Sequence, residues 1–156
     1  MSNMSAYMLS QVGDIVTGTT PNTKVENLWN GDIPFYSPAD FNGDVYCGKT
    51  TRFISKKGMS VGRPIPRNSI MVTCIGSIGK MGINKTAGLT NQQINTLIPF
   101  QNFDHEYVYY LIRNSIERLI NCAPQTTIPI LRNGHAITSL FSEEIRCYFY
   151  VIYSTK

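Results

Sequence analysis

The chain has 156 residues, 42% of them hydrophobic and 15% charged; this fits one folded domain with a real core, leaves no room for a second, and excludes a disordered or fibrous chain. The formal net charge is only +4. No run approaches the roughly 18 apolar residues that a membrane helix needs, and the polar start lacks the basic flank and apolar stretch of a signal peptide, so the expected location is the cytoplasm.

Residues 9–17 read as an extended segment that can bury Val12, Ile15 and Val16, closed by the turn Gly18-Thr19-Thr20-Pro21. Asn30-Gly31-Asp32 is a second turn signal, residues 33–37 give a short aromatic strand before Pro38, and Asp40 is placed to open a turn. Residues 45–55 alternate apolar and polar side chains as one half-buried strand would, after which Gly58, Gly62, Pro64 and Pro66 break the chain. Residues 69–75 (SIMVTCI) form the clearest core strand and run into the loop Gly76-Ser77-Ile78-Gly79-Lys80, with further strands predicted over 80–85 and 93–99. Asp104 is an N-cap for a helix in which Tyr107, Val108, Leu111, Ile112, Ile116, Leu119 and Ile120 recur at helical spacing up to Asn121. Beyond Pro124 the pattern gives a strand at 127–131, a turn at Asn133-Gly134 and an apolar stretch at 147–153. The predicted class is α+β: a twisted, mostly antiparallel sheet with one or two packed helices in a single domain, its core spanning residues 1–123 and residues 124–156 forming its C-terminal segment.

Signals for chemistry are absent where enzymes would need them. Gly76, Gly79 and Lys80 follow a strand, but only two residues separate the first glycine from the Gly-Lys pair and Met81 follows, so the spacing of a phosphate loop fails. Asp40 and Asp44 lack the further carboxylate and lysine of a magnesium-dependent nuclease, and neither His105 nor His135 sits in a local triad motif. Cys47, Cys74, Cys122 and Cys147 are too far apart for a zinc knuckle or a redox pair and are expected as unpaired, packed thiols. No cofactor, metal or catalytic set is expected.

Charge is unevenly spread. Between residues 45 and 103 there is no Asp or Glu, while Lys49, Arg52, Lys56, Lys57, Arg63, Arg67, Lys80 and Lys85 supply eight of the 14 basic residues. The remainder holds six basic against ten acidic residues, a net −4. One strongly basic region is what a polyanion partner requires, although scattered solvated side chains would give the same count.

Five stretches carry a family resemblance: LSQVGDIVTG at 9–18 with Thr20-Pro21; Trp29-Asn30-Gly31-Asp32-Ile33-Pro34-Phe35; Ser37 with Asp40-Phe41; Gly76-Ser77-Ile78-Gly79-Lys80; and Thr90-Asn91-Gln92-Gln93-Ile94. In this order they cover residues 9–121, and the chain resembles a target recognition domain from the specificity subunit of bacterial type I restriction-modification enzymes. The resemblance implies a non-catalytic domain that reads half of a split site in double-stranded DNA. Methyltransferase subunits, and in full complexes a motor restriction subunit, would supply the chemistry. A complete specificity subunit carries two such domains separated by long helices that dock the methyltransferases, whereas Ser142-Glu143-Glu144 here leads to Arg146-Cys147-Tyr148-Phe149-Tyr150 without the expected helix. A half-subunit, a shortened remnant, a piece of a longer chain and a homodimer completing the two-part site all remain open. An alternative is an interaction or dimerisation module that no longer binds DNA.

Side-chain chemistry then nominates contacts. Arg52, Arg63 and Arg67 can fork onto guanine, while Lys49, Lys56 and Lys57 suit phosphates. Asn91 and Gln92, with Gln93, have the amides that pair with adenine, though a polar network fixing the sheet is the competing role for at least one of them. Ser77 and Lys80 could meet a phosphate from a glycine-flanked loop or simply form a tight turn, and Thr20 could touch the DNA backbone or only shape its turn. Trp29 and Tyr36 are expected in the core. Charge reversal at Arg52, Lys57, Arg63 or Arg67 is expected to weaken DNA binding more than reversal at Lys24, Arg113 or Lys156.

Overall fold

A computed structural model of the chain describes residues 4–7, 9–122 and 149–152, with side chains described over residues 9–117. In chain order the elements are β1 (Met4–Tyr7), α1 (Leu9–Val12), β2 (Gly13–Thr17), β3 (Trp29–Tyr36), β4 (Tyr46–Cys47), β5 (Arg52–Ile54), α2 (Lys56–Ser60), β6 (Ile70–Thr73), β7 (Met81–Asn84), β8 (Leu89–Thr90), β9 (Ile94–Pro99), α3 (His105–Cys122) and β10 (Phe149–Ile152). They form a five-stranded sheet of order β2-β9-β6-β7-β4, a three-stranded sheet β5-β3-β8 and a two-stranded ribbon β1-β10. Pairing is antiparallel except at β3-β8 and β4-β7. The α+β, mostly antiparallel expectation holds, with the strands divided among three sheets instead of one.

Strand β6 explains how the layers arise. Its four residues, Ile-Met-Val-Thr, are all buried, and because successive side chains point to opposite faces, Ile70 and Val72 pack with Met81, Ile83, Leu97 and the α3 residues Val108, Tyr109 and Ile112. Met71 points the other way, toward Tyr36, Phe41, Cys47, Ile65 and Ile94. A third cluster, Leu28, Trp29, Phe35, Ile54 and Leu89, fills the small sheet. Helix α3 therefore covers one face of the large sheet and the small sheet backs the other. Asp104 caps α3 as its position in the sequence predicts, its Oδ1 accepting from Tyr107 N at 2.8 Å.

Several local expectations are corrected. Residues 45–55 do not form one strand: β4 joins the large sheet and β5 the small one. The cause lies at Asp40, whose buried carboxylate accepts from Thr51 N at 2.9 Å and Thr51 Oγ1 at 3.2 Å and so redirects the chain between them. The start of the 9–17 segment is a helical turn that buries Leu9 and Val12, and only Gly13–Thr17 is extended. Gly58 does not simply break the chain: it lies within α2, which Ser55 caps by accepting from Gly58 N at 3.1 Å. Asn30-Gly31-Asp32 is an irregularity inside β3 and not a turn, with the β3-β5 register shifting between Trp29 and Ile33 and Asn30 at φ 59. The elements expected at 127–131 and at Asn133-Gly134 lie outside the described residues.

Candidate nucleic-acid interface

The register of the large sheet gathers one set of loops. Thr17 pairs with Asn95, Thr73 with Ile94 and Val72 with Met81, so the 18–20 turn, the 91–93 turn and the 74–80 loop all leave the sheet at the same end. Gly18 N donates to Ile94 O at 3.0 Å and Thr19 N to Thr90 O at 2.8 Å, locking the first turn onto the second. The approach is close enough that a Cβ on Gly18 would lie 2.0 Å from Asn91 O, which accounts for glycine there. Thr20 Oγ1 donates to Gln92 Oε1 at 2.5 Å, and Thr19 Oγ1 accepts from Arg63 N at 3.1 Å while Arg63 Nη1 donates to Thr17 O at 3.3 Å. Thr20, Arg63 and Gln92 are exposed. No acidic residue occurs in residues 17–20, 62–63, 74–80 or 91–93.

Asn91 and Gln92 take different roles. Asn91 is half-buried; its N–H donates to Tyr36 O at 3.0 Å, its Oδ1 accepts from Gln93 N at 3.0 Å and its Nδ2 donates to Gln93 Oε1 at 2.9 Å. It ties the small sheet to the turn, the scaffold role weighed against base pairing for this group. Gln92 projects outward from the same turn.

The 74–80 loop is a tight strand-to-strand connection. Thr73 Oγ1 bonds Ser77 O and accepts from Lys80 N at 2.9 Å, and the N–H groups of Ile78 and Gly79 donate to Gly76 O and Thr73 O at 3.0 Å each. Three of its amides are thus committed internally, so an anion here meets the exposed side chains of Ser77 and Lys80 instead of an amide cradle.

The remaining basic candidates stand elsewhere. Arg52 lies opposite Phe35 on the small sheet with its guanidinium 3.8 Å from the Trp29 ring centroid and 5.5 Å from that of Phe35, a stack that fixes its direction. Lys49 is exposed on the connection after β4, and Lys56 and Lys57 are exposed on α2. Arg67 precedes β6 at the opposite end of the large sheet, within electrostatic reach of Tyr46. There Tyr46 donates a hydrogen bond to Glu106 and lies 3.2 Å from His105 Nε2, and its hydroxyl is pushed up to about 12 chiefly because that bond to the Glu106 carboxylate holds the phenol in its protonated form. The basic window along the sequence therefore divides into the loop end, the small-sheet flank and the far end. Trp29 and Tyr36 are buried, as expected, and Cys47 and Cys74 are free, buried thiols.

Sequence reasoning placed Asp40 at the opening of a turn; it instead closes the turn Pro38–Asp40 and also holds Thr51. Its Oδ2 accepts from Ser37 N at 2.8 Å and Ser37 Oγ at 2.7 Å while its Oδ1 holds Thr51, next to Arg52. The signal was present in the Ser-x-x-Asp spacing, a reciprocal capping box over the turn Pro38–Asp40.

Among the described residues no helix is long and apolar enough to cross a membrane. The type I restriction modification DNA specificity domain family matches residues 1–135. Similar curated proteins include the type I restriction enzyme MjaIX specificity subunit of Methanocaldococcus jannaschii, 31% identical over 132 residues, covering 81% of this chain and 31% of that protein. The HindI specificity subunit of Haemophilus influenzae is 32% identical over 107 residues, covering 67% of this chain and 23% of that protein. The chain thus spans about a third or less of the length of these relatives. Among solved structures, the HsdS subunit from Thermoanaerobacter tengcongensis shares the fold at a TM-score of 0.61 and 14% identity, covering 95% of this chain and 33% of that one. The S subunit of a type I system from M. genitalium does so at 0.52 and 16%, covering 76% and 29%. By the match over residues 1–135, the chain belongs to the type I restriction modification DNA specificity domain family.

Proposed function

We propose that the domain binds double-stranded DNA sequence-specifically and reads one part of a two-part site, as a recognition domain of a specificity subunit. The observation that carries this reading is the loop end of the large sheet, where exposed Thr20, Arg63, Ser77, Lys80 and Gln92 stand on segments that contain no Asp or Glu. A rigid sheet presenting amide, hydroxyl and cationic side chains matches what duplex recognition needs: cations on phosphates for affinity, and amides or guanidinium groups at base edges for discrimination. Gln92 is the adenine reader, held in place by Thr20; Arg63 reaches guanine or phosphate; Ser77 and Lys80 hold the backbone. Arg52, stacked on Trp29, and Lys49, Lys56 and Lys57 flank this surface and extend it along the duplex, while Arg67 contributes charge from the far end.

In this role the domain performs no chemistry. A methyltransferase subunit and a restriction subunit of the same system would be directed by it, and a second copy would complete the two-part site by forming a homodimer. The test is enrichment from a pool of random duplexes at low and near-physiological salt. A motif of about three to five bases that survives added salt is the expected result; binding that vanishes with salt and enriches nothing would reduce the domain to a generic basic surface. Absence of binding at any salt would leave the interaction-module reading.

A further inference from the structure

Strand β7 is covered on its outer edge by β4 only at Ile83 and Asn84. Along β7 the backbone alternates: Lys80 O accepts from Thr73 N, and Asn84 N donates to Ser69 O, both toward β6, whereas Ile83 N donates outward to Val45 O. Met81, two residues before Ile83, therefore turns its N–H and C=O outward too, at a point where β4 has ended. A cleft of about 380 Å³ opens there, lined by Phe41, Asn42, Lys80, Met81, Tyr109 and Arg113 among others. Arg113 follows Tyr109 by four residues on α3 and lines the same opening as Lys80 from the β6-β7 loop. No carboxylate belongs to the lining. Asp44 lies nearby with Asn42 Nδ2 donating to its Oδ2 at 2.8 Å.

Two cations facing one cleft without a carboxylate repel each other until an anion enters between them. The volume exceeds what an inorganic ion needs and falls within the range of small-ligand sites, and its aromatic members suit the apolar side of a sugar or base. We propose that this cleft binds the phosphate ester of a nucleotide, with Lys80 and Arg113 clamping the phosphate and Phe41 and Tyr109 bordering the sugar. The favoured source, a backbone phosphate flanking the bases read, rests on the loop end being the DNA interface, since Lys80 belongs to both; the phosphate chemistry does not depend on that reading. Arg113, placed among the controls by its position in the sequence, then becomes a contact residue.

The test follows backbone amide resonances of the chain during titration with adenosine 5′-monophosphate, using adenosine as the uncharged control. The monophosphate is expected to shift Gly79, Lys80 and Met81 where adenosine does not, Arg113→Gln to weaken this about tenfold, and Arg113→Lys to restore part of it. A short duplex that displaces the monophosphate assigns the phosphate to the DNA backbone; a duplex that binds without displacing it assigns the cleft to free nucleotides. Shifts with the monophosphate but no duplex binding at all would sink the DNA-interface reading and leave the cleft standing. Absence of a phosphate-dependent shift at these three amides, with monophosphate and duplex alike, overturns the proposal.

Discussion

A few side chains fix the geometry of the loop end. Gly18 has no room for a methyl group, because the obstruction is the backbone oxygen of Asn91 and not a side chain that could rotate away. Gly18→Ala is expected to cost about 2 kcal/mol or more and to loosen the 91–93 turn, measured as a lower urea midpoint together with lost amide protection at Ile94. Asp40 carries four hydrogen bonds on a buried carboxylate. Asp40→Ala strands Ser37 and Thr51, with an expected loss of about 3 kcal/mol; a thermal midpoint unchanged from the parent would contradict this account of how β4 and β5 part. Gln92 differs from both, since its side chain is exposed and bonds only across to Thr20. Gln92→Ala is expected to leave the unfolding free energy from urea titration within about 0.5 kcal/mol of the parent.

At the scale of elements, the sequence made legible whatever depends on local periodicity or on one strong cap. The core strand β6 and helix α3 with Asp104 as its cap emerge from apolar spacing because each buries a regular face. The split of residues 45–55 did not emerge, because it depends on Asp40 meeting Thr51 across eleven positions, a tertiary contact invisible to period-2 counting. The α2 turn was hidden by its own Gly58, which is required where a Cβ would lie 2.1 Å from Leu28 O. For the site, residue chemistry singled out Thr20, Asn91 and Gln92, but which amide faces out and which ties the sheets was decided by the sheet register. The sheets also bury two thiols: desolvation pushes Cys74 and Cys47 from an ordinary 9.0 up to about 12. The fold thus favours the protonated thiol, so this contribution is whole below about pH 9 and is lost as pH rises from there toward 12. Urea midpoints are expected to fall as pH rises from about 9 to 10.5, with a shallower fall in the Cys47→Ala, Cys74→Ala double variant.

Over the whole molecule, the acid-free window places its cations in three locations, and DNA binding should report that division. Arg63→Glu and Lys80→Glu, at the loop end, are expected to weaken duplex binding about tenfold or more and to lower the salt slope, while Arg67→Glu, at the far end, should weaken it less than these two but more than Lys24→Glu. Equal losses across all four would mean that net charge, and not the loop end, governs affinity. Base reading by Gln92, held by Thr20, is tested most directly by enrichment from random duplexes carried out in parallel with the parent chain and with Gln92→Ala. The account predicts that the variant keeps its salt slope and most of its motif but loses preference at one position of adenine. An identical motif from both proteins would contradict it and move base reading to another surface of the domain.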